Sequence, residues 1–235
     1  MPATYQPVQN GYAAKGRLKR EAHAGQVSGE WQYNQDGQLR ENRRFRDGEI
    51  AVADQYYYDV AGRLRFIQHF DNECYFSSLA VCSGPMRWTS YDQIDVDNEN
   101  RMQESRTFLN QSGQWELRSI TSYVYDKLGR PIKLLRYTAG RQLASTQEFT
   151  YDSQDNVVSM REINTNASTP DLADRTFTYT YDEALNPYVG SIHYVAPFFI
   201  SRNLQTTPGA TYRYDNRGYP VQIWQNGTIT ELMYY

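Results

Sequence analysis

Three histidines, His23, His69 and His193, are the only imidazoles in the 235 residues. None lies at a spacing that marks a metal site or a metalloprotease helix. Aspartate is the recurrent candidate for chemistry: Asp59, Asp126 and Asp215 each follow a tyrosine and precede a glycine by three positions. Glycoside hydrolysis would need two such carboxyls facing one another across a cleft. One aspartate per repeated unit is instead the signature of a turn. The acidic run YDQIDVDNEN, residues 91–100, sets oxygens at alternate positions, as a hard cation requires, but lacks the central glycine and closing glutamate of a calcium loop. GYAAKGRL, from Gly11, has two glycines at phosphate-loop spacing, yet Arg17 and Leu18 stand where Lys and Ser or Thr are needed, so it is discarded. With no G-x-S-x-G elbow or dinucleotide fingerprint either, the chain is expected to carry no catalytic residue, metal or cofactor.

The elements that position these residues are strands. Lys plus Arg number 24 against 27 acidic residues, a net charge of -3 with no basic block to track phosphates, so nucleic acid is excluded as a partner. Mean hydropathy is -0.77, but 40% apolar and 14% aromatic residues place the chain among folding sequences. No stretch reaches the ~18 apolar residues of a membrane helix.

A unit of Tyr, Asp, two variable residues, Gly and a following strand recurs from Tyr33, Tyr58, Val96, Tyr125 and Tyr214. Two looser copies start at Tyr151 and Tyr181 and are read as carrying one extra residue, with Asn156 and Asn186 in place of glycine. Aspartate at the first position of a type I turn accepts a hydrogen bond from the N–H two residues on, and the fourth position takes the left-handed backbone that glycine adopts without a Cβ clash. Asp59 with Gly62, Asp126 with Gly129 and Asp215 with Gly218 are therefore assigned as structural turns. Before the turns, aromatic residues recur at every second place, as in Tyr123 and Tyr125 or Phe149 and Tyr151, which is strand spacing. The spacing predicts an all-β fold, a meander of antiparallel hairpins in one strongly twisted, curled sheet or incomplete barrel, with a β-sandwich as the alternative. One domain spans residues 1–235, with insertions at 71–90 and 186–210.

Tyrosine dominates the aromatic load, 21 against 9 Phe and 4 Trp. Rings that stack on flat sugar faces, with polar neighbours for the hydroxyls, make Trp88, Tyr91, Trp115, Tyr194, Phe198 and Trp224 the ligand-binding candidates; the competing reading makes these rings the core of a thin sheet. Cys74 and Cys82, the only cysteines, could close a small disulfide or remain two reduced thiols.

The Y-D-x-x-G-R spelling from Tyr58 and Tyr125 resembles the YD repeat of RHS and teneurin-type surface proteins. TYTYDEALNPY, an apolar segment, SRN, and a final YRYDNRGYPVQI are together similar to the closing pattern of YD-repeat cell-envelope lipoproteins of unknown function from Bacteroides-type bacteria. No cysteine near the start could carry a lipid, which departs from that family. The resemblance implies a non-enzymatic extracytoplasmic module that binds or scaffolds, in the periplasm, anchored to the outer membrane or secreted, its leader not part of this sequence. It favours the Cys74–Cys82 disulfide, and names a glycan or another envelope protein as partner. A carbohydrate-binding protein of a glycan-uptake system is the first alternative, and a glycoside-active enzyme the second.

Overall fold

The computed structural model describes residues 5–7, 16–72, 85–165, 173–189, 195–206 and 209–235. The expected Cys74–Cys82 disulfide and Tyr194 lie outside the described residues. The strands are β1 (Leu18–His23), β2 (Gln26–Tyr33), β3 (Leu39–Arg46), β4 (Glu49–Tyr58), β5 (Leu64–Asp71) and β6 (Arg87–Val96). They continue as β7 (Met102–Gln111), β8 (Gln114–Tyr125), β9 (Pro131–Thr138), β10 (Leu143–Tyr151), β11 (Val157–Asn164) and β12 (Asp174–Thr178). Last come β13 (Tyr181–Leu185), a single helical turn α1 (Pro197–Ile200), β14 (Asn203–Gln205), β15 (Thr211–Tyr214), β16 (Pro220–Gln225) and β17 (Thr228–Tyr234).

Fifteen of these strands form one antiparallel meander sheet: β12 back to β1 are neighbours in chain order, and β1 is then joined by β17, β16 and β15. The strands share one ladder, not the two sheets of a sandwich, and the ladder is not closed into a barrel, since β12 and β15 remain its edges. Two compact units divide the chain. One comprises Met1–Gln55, His69–Thr89 and Tyr181–Tyr235, the other Tyr56–Gln68 and Ser90–Thr180. Leu18, Trp31, Tyr33, Leu39, Phe70 and Leu232 are buried in the first; Leu64, Ile67, Ile94, Ile120, Phe149 and Val157 are buried in the second.

The repeat explains why the meander forms. In the turn at Asp126, one carboxylate oxygen accepts the Leu128 and Arg130 N–H groups, both at 2.9 Å, while the Asp126 carbonyl accepts the Gly129 N–H at 3.1 Å. Gly129 sits at φ 81°, where a side chain is strained. The other Asp126 oxygen takes Nε of Arg130 at 2.8 Å, and that guanidinium lies 4.6 Å over the ring of Tyr151, the tyrosine of the following unit. Tyr151 in turn donates to the carbonyl of Pro131, the residue after Arg130, at 2.7 Å. The same three contacts recur at Asp97, Arg101, Tyr125 and the Met102 carbonyl. At Asp215 the arginine has moved two places earlier, to Arg217, yet it still bonds Asp215 and lies over Tyr234, which donates to the Pro220 carbonyl. At these three positions the turn is thus fastened to its neighbour as well as closed on itself. At the first copy, Asn34 and Gln38 replace the acid and the arginine, joined amide to amide at 2.9 Å.

Two turn assignments are corrected. At Asp152 no residue is extra: Asp155 holds the left-handed position at φ 66°, and Asn156 occupies the arginine place, donating Nδ2 to Asp152 at 3.1 Å. At Tyr181 there is no hairpin; residues 181–185 are β13, which pairs with β14 away from the large sheet. Asn186 is instead spent on holding this region, accepting the Tyr188 N–H and donating to the Ser201 carbonyl.

The last three residues of GYAAKGRL, Gly16, Arg17 and Leu18, supply half of a further turn. The Tyr235 N–H donates to the Arg17 carbonyl at 3.1 Å and the Gly16 N–H to the Tyr235 carbonyl at 3.2 Å. Asp126 makes this pair of bonds with Arg130 and Gly129. Gly16 has the matching φ of 77°, and Leu18 pairs with Tyr234 as Pro131 pairs with Tyr125. Tyr33 completes the unit by donating to the Leu18 carbonyl at 3.0 Å.

Gly129→Val forces a branched side chain into left-handed backbone and is expected to cost about 1–3 kcal/mol in urea unfolding. The turn aspartates also set an acid limit. The Arg63 backbone N–H holds the Asp59 carboxyl below its ordinary value, against partial desolvation and helped by the Arg63 guanidinium, and Arg101 does the same for Asp97. A carboxyl lowered on folding contributes fully above its unfolded value near 4 and loses that contribution as pH falls through its lower folded value. The urea midpoint is therefore expected to drop below about pH 4, and to drop less in Asp97→Asn.

Candidate functional site

The turn at Asp97–Arg101 fixes the register of β6 against β7, so that Asp95 faces Glu104 and, four residues further out, Tyr91 faces Phe108. The outer turn between Gln111 and Gln114, with Ser112 and Gly113 both at positive φ, then sets Trp115 opposite Asn110. Residues directly opposite share a face, and side chains alternate along a strand. Tyr91, Phe108 and Trp115 therefore emerge on one face of the sheet.

There they join Phe66 of β5 in a continuous array. Phe66 and Tyr91 stack at 4.8 Å between ring centroids with 25° between planes, and Tyr91 and Phe108 at 4.7 Å and 13°. Trp115 meets Tyr91 edge-on at 4.9 Å, and Tyr57 of β4 meets Phe66 edge-on at 5.9 Å. Tyr57 is 45% exposed; the four inner rings are half-buried. From β5 to β8 the strip crosses three strand spacings, roughly 14 Å. Phe66, Tyr91 and Phe108 stack face to face in sequence, while Trp115 is turned 68° from Tyr91.

The same face changes character beyond β8. Lys133, Glu148, Arg161 and Asp174 run across β9 to β12 as alternating charges, with contacts of 2.7 Å for Lys133–Glu148, 4.0 Å for Arg161–Glu148 and 2.5 Å for Arg161–Asp174. Arg106, two residues along β7 from Phe108, pairs with Asp95 at 2.9 Å and Glu104 at 2.6 Å. An aromatic strip thus borders a charged one.

Buried carboxylates occur in the other unit. Glu41 is fully buried and accepts from Arg43, from Gln55 at 2.9 Å and from Tyr5 at 3.1 Å. Glu21 accepts from Tyr188 at 2.6 Å and Ser28 at 2.8 Å, with His23 at 3.1 Å. Burial, then the Glu21 charge, pushes the Tyr188 hydroxyl well above its ordinary value, so it stays a donor. The register puts Glu21 beside Gly29 and Arg44, and Glu41 beside Gln32 and Gln55. Those rows lie on opposite faces of the sheet, so the two carboxylates cannot flank one bond. Among the described residues, no three His, Cys, Asp or Glu side chains are grouped as a metal would need.

No family model matches the chain, and no curated protein matches it. Among solved structures it is similar to a porin-like protein from Bacteroides uniformis, at 10% identity over 92% of this chain and 97% of the other, with a TM-score of 0.38. A porin-like protein from Bacteroides vulgatus gives 10% identity, 93% and 99% coverage and a TM-score of 0.36. A TcdB2–TccC3–Cdc42 structure gives 13% identity over 83% of this chain but 12% of the other, with a TM-score of 0.24. None is close enough to carry an argument about this chain.

Of the sequence-derived ligand candidates, the structure brings Tyr91 and Trp115 together. Trp88 lies three residues before Tyr91 on β6, in the first unit, and Trp224 on β16, opposite Thr211 and Ile229. Phe198 falls in α1, its side chain outside the description. Phe66, Phe108 and Tyr57 were missed. Counting outward from the Asp97 turn would have paired Phe108 with Tyr91, a signal present in the sequence.

Phe108→Ala removes the ring on which Tyr91 stacks. Half-burial puts the expected loss at about 2 kcal/mol in urea unfolding, below that of a fully buried ring, together with a change in near-ultraviolet circular dichroism.

Proposed function

We propose that the chain is a non-enzymatic β-repeat module of the cell envelope that binds a ligand along the aromatic strip of β5 to β8. The observation that carries this reading is the Phe66–Tyr91–Phe108–Trp115 array. It is a contiguous apolar strip on a sheet face, kept half-exposed where a core would have covered it. The flanking Arg106 group gives the strip a polar margin, as binding surfaces with an apolar centre require. An extended ligand suits this geometry better than a single small ring, because the contact is spread over about 14 Å.

A carbohydrate is the second reading, favoured by Trp115, whose plane is turned 68° from that of Tyr91 at the margin of the stack. Isothermal titration against neutral oligosaccharides tests it: Trp115→Ala and Tyr91→Ala should each weaken binding tenfold or more, about 1.4 kcal/mol. No binding across a broad glycan array would leave a protein partner as the ligand, to be captured from envelope extracts and lost in the same variants. Fractionation of cells expressing the full gene product tests the location, with recovery in the envelope or medium expected.

A further inference from the structure

A hollow of about 420 Å³ lies at the outer-turn end of β7 to β10, lined among others by Gln111, Glu116, Arg118, Ser119, Arg136 and Thr138. Register places it on the face opposite the aromatic strip. Leu109 pairs with Glu116, Thr107 with Ser119 and Ser119 with Thr138, all alternate to Phe108 and its row. Two bulges build it. Between Thr107 and Phe108 the ladder slips so that Arg118 is the extra residue of β8 and joins Glu116 and Ser119 on one side; between Leu143 and Ser145 a second slip contributes Ala144 to the wall. A bulge re-aims a side chain at the expense of ladder hydrogen bonds, and here both deliver residues to the same hollow.

Its arginines stand apart from the rest of the unit. Every other arginine there meets a carboxylate within 4.0 Å, from Arg63 on Asp59 to Arg175 on Glu162. Among the described residues, Arg118 and Arg136 alone in the unit make no ion pair. Two unpaired guanidinium groups around one hollow suit an oxyanion, which they grip in a planar fork. Gln111, Glu116, Ser119 and Thr138 add side chains that exchange hydrogen bonds with hydroxyls, and Tyr137 and Leu109 supply apolar wall.

We propose that this hollow is a binding site for an acidic saccharide, its carboxylate held between Arg118 and Arg136 and its ring hydroxyls met by Glu116 and its neighbours. The site is separate from the aromatic strip and does not depend on the function proposed for that strip. Nuclear magnetic resonance titration of the whole chain with methyl glucuronide, methyl glucoside and sodium sulfate tests it. The expected result is saturable shifts confined to residues 109–144 with the glucuronide, and at least fivefold weaker binding in Arg118→Gln and in Arg136→Gln. Both arginines are exposed, so their variants are expected to keep the wild-type circular dichroism spectrum. Equal affinity for the glucoside, equal affinity for sulfate alone, or the absence of saturable shifts would each overturn the assignment.

Discussion

At Asp97, Asp126 and Asp215 the turn is held by a carboxylate whose arginine also covers the tyrosine of a neighbouring unit, and that shared arginine is the constraint on which the order of the sheet depends. Asp126 alone would close a hairpin. With Arg130 over Tyr151 and Tyr151 on the Pro131 carbonyl, closing one hairpin places the next. A half-buried hydroxyl-to-carbonyl bond of this kind contributes about 1 kcal/mol net, and burial, chief among several causes, raises the Tyr125 and Tyr234 hydroxyls so that they remain donors at any physiological pH. Where the tyrosine is replaced, as at Val96, the lock is missing on that side and the preceding strands are joined by a long connection.

Because the turns set register, they also decide which residues share a face. A meander built this way has two faces of unequal character in its second unit: an aromatic strip passing into alternating charges on one, and a hollow framed by bulges on the other. The bulges matter because strict alternation would have left Arg118 and Ser119 on opposite sides; the slip at Thr107 brings them to the same one. Local irregularity, added to a regular repeat, is what gives one part of the sheet a chemistry its sister units lack.

The all-β meander and the paired roles of aspartate and glycine were legible because turn chemistry is local: five consecutive residues contain the whole argument. The arginine bridge was not, although Arg63, Arg101 and Arg130 all occupy the same place, because its second partner lies a hairpin away. Tyr91 and Trp115 could be named as ligand-binding rings, but their gathering with Phe66 and Phe108 depends on register across three strand pairs. Tyr181 misled for a different reason. Its spelling is that of a turn, yet Asp182 accepts from Tyr214 at 2.6 Å and Ser201 donates to Tyr181 at 2.8 Å, so contacts remote in sequence outweigh the local preference.

The pairing of Tyr235 with Gly16 and Arg17 has a kinetic meaning. Every other turn of the series joins residues that are already neighbours along the chain, whereas this one brings together residues that nearly the whole sequence separates. By loop-closure entropy, bringing such distant segments together is less favourable by about 3 kcal/mol than closing a five-residue turn. The β1–β17 pairing is thus expected to be the late, rate-setting contact in folding, and the first to part when the molecule opens.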